Sequence, residues 1–273
     1  MNRAQEGISA KNGPVAIVTG GSSGIGYAVA AELLRRGCRV YEISRRENPP
    51  AGVQHIGADL CLPGAAAEAV GRVIAAEGRV DILVNNAGMG ISGAAEYTEA
   101  EEIRRLFSIN FDAAAEMNAA VIAHMRTAGG GRIVQVGSLA ALLPIPYQSF
   151  YSASKAALLS YGMALANELR PFGITVQTLL PGDIASGFTA ARRKGSEGDA
   201  VYGGRITRAV SRMERDETHG LSSACAGRAI ARAALSRSRR PYKTFGIGNR
   251  LILLLWRLLP ARVVNAILYR LYG

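Results

Sequence analysis

From Val15 to Arg36 the chain reads VAIVTGGSSGIGYAVAAELLRR: an apolar β-branched run, a glycine-rich turn and a helix-type pattern without interruption. The run Val15-Ala16-Ile17-Val18-Thr19 has no apolar–polar alternation, which suits a strand covered on both faces. The turn Thr19-Gly20-Gly21-Ser22-Ser23-Gly24-Ile25-Gly26 lies directly between that strand and the helix. Its glycines permit a tight bend and let the main chain approach a pyrophosphate at a helix N-terminus. There, unpaired N–H groups and the helix dipole favour anions. A plain glycine-rich loop would carry the same residues; the buried strand before it favours the dinucleotide site. The helical pattern Ile25 to Arg36 stops at Gly37, a residue suited to the C′ position.

Similar β-branched runs recur at residues 39–44, 55–58, 81–84, 132–136 and 174–179. Helical patterns fill the gaps, including 99–128 as two helices and 150–170, which Pro171 stops. Strands alternating with helices predict an α/β fold: a single Rossmann-type, doubly wound parallel sheet with helices on both faces. A C-terminal helical extension follows it. No repeat and no Pro/Ser-rich linker divides the chain, so residues 1–273 read as one dinucleotide-binding domain. Within it, residues 190–220 are polar and basic with weak periodicity, and are expected to form a mobile substrate-loop insertion. Residues 247–273 form an apolar, amphipathic helical tail that Pro260 splits.

Hydrophobic residues make up 49% and charged residues 19% of the chain, which excludes disorder. No apolar run reaches the roughly 18 residues of a spanning helix, and Met1–Gly7 has no apolar leader core. Cys38, Cys61 and Cys225 share no metal or redox spacing, and His55, His124 and His219 are scattered. No metal, disulfide framework or zinc ribbon is implied, and a cytoplasmic location is expected. Charge is uneven. Up to Thr189 there are 15 basic and 16 acidic residues, and from Ala190 onward 17 and 5. That excess points to an anionic partner or to a solvated basic face. Basic residues do not interleave with aromatics, so no nucleic-acid partner is expected.

The second strand ends in Glu42-Ile43-Ser44-Arg45-Arg46, where the adenosine ribose would lie. Ser44 and Arg45 can bind a 2′-phosphate, which favours NADP(H) and leaves NAD(H) as the alternative. Glu42 is expected to point elsewhere. Asn85-Asn86-Ala87-Gly88 follows the fourth strand, and Ser138 closes the fifth at the carboxyl edge of the sheet, where open α/β folds bind ligands. Tyr151 and Lys155, at i and i+4, share one helical face. An ammonium beside a phenol would lower the phenol's pKa.

Taken together these residues resemble the short-chain dehydrogenase/reductase family, in its shorter branch, over about Pro14 to Thr189. The resemblance implies a catalytic set of Asn110, Ser138, Tyr151 and Lys155. It further implies that Gly20, Ser22, Ser23, Gly24, Ile25 and Gly26 hold the cofactor's phosphates, with Ser44 and Arg45 at the ribose. Asp59 and Leu60 would meet the adenine, and Asn86, Ala87 and Gly88 would line the middle of the dinucleotide. Pro181, Gly182 and Ile184 would sit near the nicotinamide together with Tyr151 and Lys155, followed by Thr189. In the implied mechanism Ser138 holds a carbonyl and Tyr151 protonates it during hydride transfer. Lys155 supports Tyr151, and Asn110 holds a relay water. A homodimer or homotetramer is implied as well.

The tail departs from family members that end soon after the last strand, placed here at 242–246. It resembles the tails of members acting on steroids, retinoids or lipids. Its apolar faces bear Trp256, Tyr269 and Tyr272 rimmed by Arg250, Arg257, Arg262 and Arg270, which suits peripheral contact with an anionic membrane. A helix pair packing on its own domain or on a dimer partner would show the same pattern. Tyr147 and Phe150 are candidate pocket residues. The expected activity is NADP(H)-dependent interconversion of a lipophilic ketone and its secondary alcohol. The alternatives are a 3-oxoacyl thioester reductase and a non-catalytic NADP(H)-sensing protein, the latter having no need of the catalytic set.

Overall fold

The computed structural model describes residues 13–273; the segment 1–12, on which the leader expectation rests, lies outside the described residues. At its centre is a sheet of seven parallel strands. They are β1 (Val15–Thr19), β2 (Arg39–Ser44), β3 (Gln54–Gly57), β4 (Ile82–Asn85), β5 (Gly131–Val136), β6 (Ile174–Leu179) and β7 (Tyr242–Lys243). Their spatial order is β7-β6-β5-β4-β1-β2-β3. The chain therefore runs outward from β1 to β3, then crosses back to β4. That reversal opens a crevice at the carboxyl ends of β1 and β4, the place where such sheets bind ligands.

Two apolar cores cover the sheet. Alternation along β1 sends Val15 and Ile17 into one core and Ala16 and Val18 into the other. The first core is closed by helices α2 (Ala65–Glu77), α4 (Ala113–Thr127) and α5 (Ser149–Glu168), the second by α1 (Gly24–Arg35) and α7 (Ser223–Ala234). Each fully buried Val or Leu contributes about 1.5–3 kcal/mol relative to exposure, so these faces hold the strand ends in place. Helix α3 (Ala100–Phe107) joins α4 through a π-helical turn at Ser108–Asp112, which contains Asn110.

Residues 190–220, where a mobile substrate-loop insertion is expected, contain a helix that weak periodicity did not suggest. This is α6 (Arg205–Thr218), which buries Ile206, Ala209, Val210 and Met213. This i, i+3, i+4, i+7 stripe is separated by arginines, which hid its period in the sequence. Arg193–Lys194 adds a short parallel pairing with Ile91–Ser92. The last strand is shorter than expected, at Tyr242–Lys243. The tail forms α8 (Ile247–Leu258) and α9 (Ala261–Tyr272), with Pro260 between them. No helix among the described residues is long and apolar enough to cross a membrane.

Candidate active site

The glycine-rich turn is held from behind. The Thr19 hydroxyl accepts hydrogen bonds from the Asn86 and Ala87 N–H groups at 2.9 and 3.0 Å. The Asn86 amide donates back to the Thr19 carbonyl at 3.0 Å. Gly20 and Gly24 take positive φ (67° and 56°), which side chains rarely adopt. A Cβ on Gly26 would come within 2.2 Å of the Gly20 carbonyl oxygen, so glycine there lets α1 press against the turn. Ser23 makes no side-chain cap, and no acidic residue lies in the first turn of α1. Its N–H groups and positive dipole end are therefore available to an anion, which fits a dinucleotide pyrophosphate.

At the end of β2, the Ser44 hydroxyl donates to the Arg46 carbonyl at 2.9 Å. The Arg45 guanidinium is 66% exposed and stands 4.0 Å from Asp59, so it is open to a further anionic partner. Arg46, beside it, donates to the Ser23 hydroxyl at 3.2 Å and faces the same space. Glu42 does not face that space. Strand alternation places it on the face of Ser44, whose hydroxyl lies 3.3 Å from it, and a Cβ on Gly21 would meet Glu42 within 2.5 Å. It is fully buried and pairs with His55.

The catalytic candidates converge from β5 and α5. Ser138, just past β5, accepts from the Ala140 N–H at 3.1 Å and so keeps its hydroxyl fixed at the strand end. Lys155 is buried, donates to the Val136 carbonyl at 3.1 Å and lies 6.0 Å from the centre of the Tyr151 ring. Burial holds its ammonium down to about 8. The Tyr151 phenol is pushed up, chiefly by burial, while the Ser138 hydroxyl and Arg192 draw it down. The groups that draw it down are thus Ser138 and Arg192, not the Lys155 ammonium expected from the four-residue step. Asn110 sits in the π-turn, where its amide accepts from the Met89 N–H at 2.8 Å and donates to the Met89 carbonyl and the Ser154 hydroxyl at 3.0 Å. Those contacts tie the loop after β4 to α5, the helix that bears Tyr151 and Lys155.

These groups border one cavity of about 890 Å³. Every expected cofactor residue lines it except Gly26, which acts through close packing; Asn110 also lies behind the wall. Thr189 is committed elsewhere, donating to Glu217 at 2.5 Å, and the hydroxyl that reaches the cavity after Pro181-Gly182 is Ser186. The spacing of Ser186, five residues past Pro181, was the available signal. Tyr147 and Phe150 do not line the cavity; Tyr147 packs on Tyr202 at 5.9 Å. Phe188 takes the aromatic position, 5.9 Å from the Tyr151 ring. Trp256 and Tyr272 also turn inward to the cavity, away from the outer face expected of them.

The family model for short chain dehydrogenases matches residues 14–197. The chain belongs to the short-chain dehydrogenase/reductase family. A 3-ketodihydrosphingosine reductase of Bacteroides thetaiotaomicron is 37% identical over 235 residues, covering 84% of this chain and 86% of that one. The 3-oxoacyl-[acyl-carrier-protein] reductase of Escherichia coli is 33% identical over 187 residues, 66% of this chain and 77% of that one. Among solved structures of this dehydrogenase family, a short-chain dehydrogenase from Streptomyces avermitilis superposes with a TM-score of 0.82 at 30% identity. It covers 95% of this chain and 96% of its own. A 3-ketoacyl-(acyl-carrier-protein) reductase from Brucella melitensis, complexed with NADH, gives 0.72 at 25% identity and covers 87% and 97%. The chain is thus an oxidoreductase with relatives named for the reduction of keto groups.

Proposed function

We propose that this short-chain dehydrogenase/reductase is an NADP(H)-dependent reductase of long-chain ketones, working in the cytoplasm. The carrying observation is the roof of the cavity: Ile252, Leu255, Leu259, Ile267, Leu268 and Leu271, from α8, α9 and the turn between them, line the space into which Tyr151 faces. An aliphatic roof over a proton donor suits a ketone on a hydrocarbon chain. The name of the Bacteroides relative, a ketolipid reductase, supports the same reading. Bound nicotinamide supplies the hydride. The Ser138 hydroxyl orients the substrate carbonyl, and the Tyr151 hydroxyl gives its proton to the oxygen as negative charge develops there. The raised pKa of Tyr151 keeps the phenol protonated at neutral pH, the form that reduction consumes. Lys155 supports its recharging from behind.

The test is a panel of long-chain ketones, steroid ketones, 3-oxoacyl thioesters and small ketones, followed by NADPH oxidation. Long-chain ketones should show the highest kcat/KM. A thioester in first place would transfer the reading to acyl-carrier chemistry, and cofactor binding without turnover of any compound would leave a sensor.

We further infer that the roof rests on an anionic membrane. Ile247, Leu251, Leu254 and Leu258 form one outward stripe on α8, with exposures of 88, 56, 53 and 71%. Arg250 flanks this stripe, and residues 247–273 hold four arginines and no acidic residue. Ile252, Leu255, Ile267 and Leu271 line the cavity and are exposed as well, so the apolar stripe runs on into an apolar mouth. A lipid could then reach Tyr151 without crossing water. Lysine or arginine near an anionic surface contributes about 1 kcal/mol each, and salt screens it. Sedimentation with phosphatidylglycerol vesicles should be strong, should fall as salt rises, and should drop at least tenfold in Leu251→Glu/Leu254→Glu. Equal sedimentation with neutral vesicles, or none with either, would reject the anchor; a shift in oligomeric state of the double variant would assign the stripe to a second copy.

A further inference from the structure

A second cavity, of about 590 Å³, opens beside the catalytic one, between the loop after Ser138, the start of α5 and the middle of α9. Ala140, Ile145 and Leu268 wall both spaces, so the two share a border. That border is close to the chemistry. Ser138 caps the short turn Leu139–Ala141, which places Ala140 two residues from the hydroxyl that orients the carbonyl. On α5, Tyr151 faces the catalytic cavity, while Ala153 and Ala156 point from another face into the second. Tyr269 of α9, 63% exposed, stands at its rim toward solvent.

Both sides of the border are preformed. Ile145 lies between Pro144 and Pro146, whose rings fix φ. Tyr147 follows at a φ of 61°, a left-handed conformation that its neighbours must hold. Its carbonyl accepts from the Gly93 N–H at 2.9 Å, which ties the loop down. On the opposite side, Leu268 is buried and is, with Val264, one of two side chains that α9 buries.

Charge separates the two spaces. Arg45, Lys155, Asp183, Arg192 and Glu217 line the catalytic cavity, and the residues that fit a dinucleotide take up much of its wall. Among the described residues no charged side chain lines the second cavity, and its polar groups are neutral. A hydrocarbon chain can lie against that surface without stripping water from an ion. We propose that the second cavity takes the far end of the substrate's hydrocarbon chain, which leaves the catalytic cavity across Ala140, Ile145 and Leu268. This assignment rests on the reading of the site as a long-chain ketone reductase and adds a subsite that selects for chain length. Each methylene buried from water there is worth about fourfold in kcat/KM.

The experiment irradiates the native protein with NADP⁺ and a long-chain ketone that carries a diazirine at its terminal carbon. Peptide mass spectrometry then maps the label. NADP⁺ fills the cofactor site without permitting reduction. The label should fall on Ala153, Ala156 or Tyr269, which line the second cavity and not the first. A label confined to Ile252, Leu255, Leu259 or Leu271, a label anywhere else, or none at all rejects the subsite. If NADPH still reduces that ketone, the long-chain reading stands without it. A ketone that is not reduced rejects both, wherever its label falls. Ala153→Trp, which fills the second cavity, should lower the ratio of kcat/KM for long over short ketones at least tenfold. That is the worth of two or more displaced methylenes. An unchanged ratio overturns the proposal, and a shift in oligomeric state of the variant assigns the cavity to a second copy instead.

Discussion

Tyr151→Phe should lose at least 10²- to 10⁴-fold in kcat, about the contribution of general acid catalysis, while cofactor affinity stays within a few-fold of the native value. The substitution removes one hydroxyl and leaves the ring against Phe188, 5.9 Å away, so the wall of the cavity keeps its shape. Ser138 would still orient a carbonyl, but no proton donor would remain at its oxygen. Single-turnover kinetics with saturating NADPH separates the loss from any effect on binding. Retention of more than a tenth of native activity would remove Tyr151 from the proton-donor role.

Arg45→Ala should weaken NADPH by about tenfold to a hundredfold and leave NADH nearly unchanged, because one charge-assisted phosphate contact is worth on the order of 1.5–3 kcal/mol. The Arg45 side chain is held by nothing nearer than Asp59 at 4.0 Å, so its removal disturbs little else. Arg46 already bonds Ser23, and it can share the phosphate. Arg45→Ala/Arg46→Ala should accordingly exceed the single variant. Titration of both cofactors by fluorescence decides the matter: equal weakening of NADPH and NADH, or a native preference for NADH, would overturn the assignment.

The sheet was legible because its strands are buried on both faces and so appear as unbroken β-branched runs, as at Val15–Thr19 and Ile174–Leu179. The glycine-rich turn, and the gathering of Ser138, Tyr151 and Lys155 at one cavity, were legible because the turn and the Tyr151–Lys155 step are local in the chain. What escaped depended on contacts between distant segments. Glu42 lies under Gly21, and only the folded turn places it there. Helix α6 was masked by arginines whose stems flank its apolar stripe. The Tyr151 phenol answers to its surroundings and to Ser138, Arg192, Glu217 and Asp183, so its pKa could not be inferred from the four-residue step to Lys155 alone. The tail was read correctly as two helices split at Pro260, but its inner and outer faces were interchangeable on paper. Only packing against the cavity assigned Trp256 to the inside and Leu254 to the outside.

Every group placed here in proton transfer or cofactor contact lies before Phe188, whereas the aliphatic roof begins at Ile252. Reaction and preference therefore occupy separate stretches of the polypeptide, joined at Asn249, which donates to the Phe245 carbonyl at 2.9 Å and borders the cavity. A chain that inherited a different terminal helix pair would keep its chemistry and change its diet. Grafting such a pair after Gly246 is thus a direct route to new substrates on an unaltered catalytic floor.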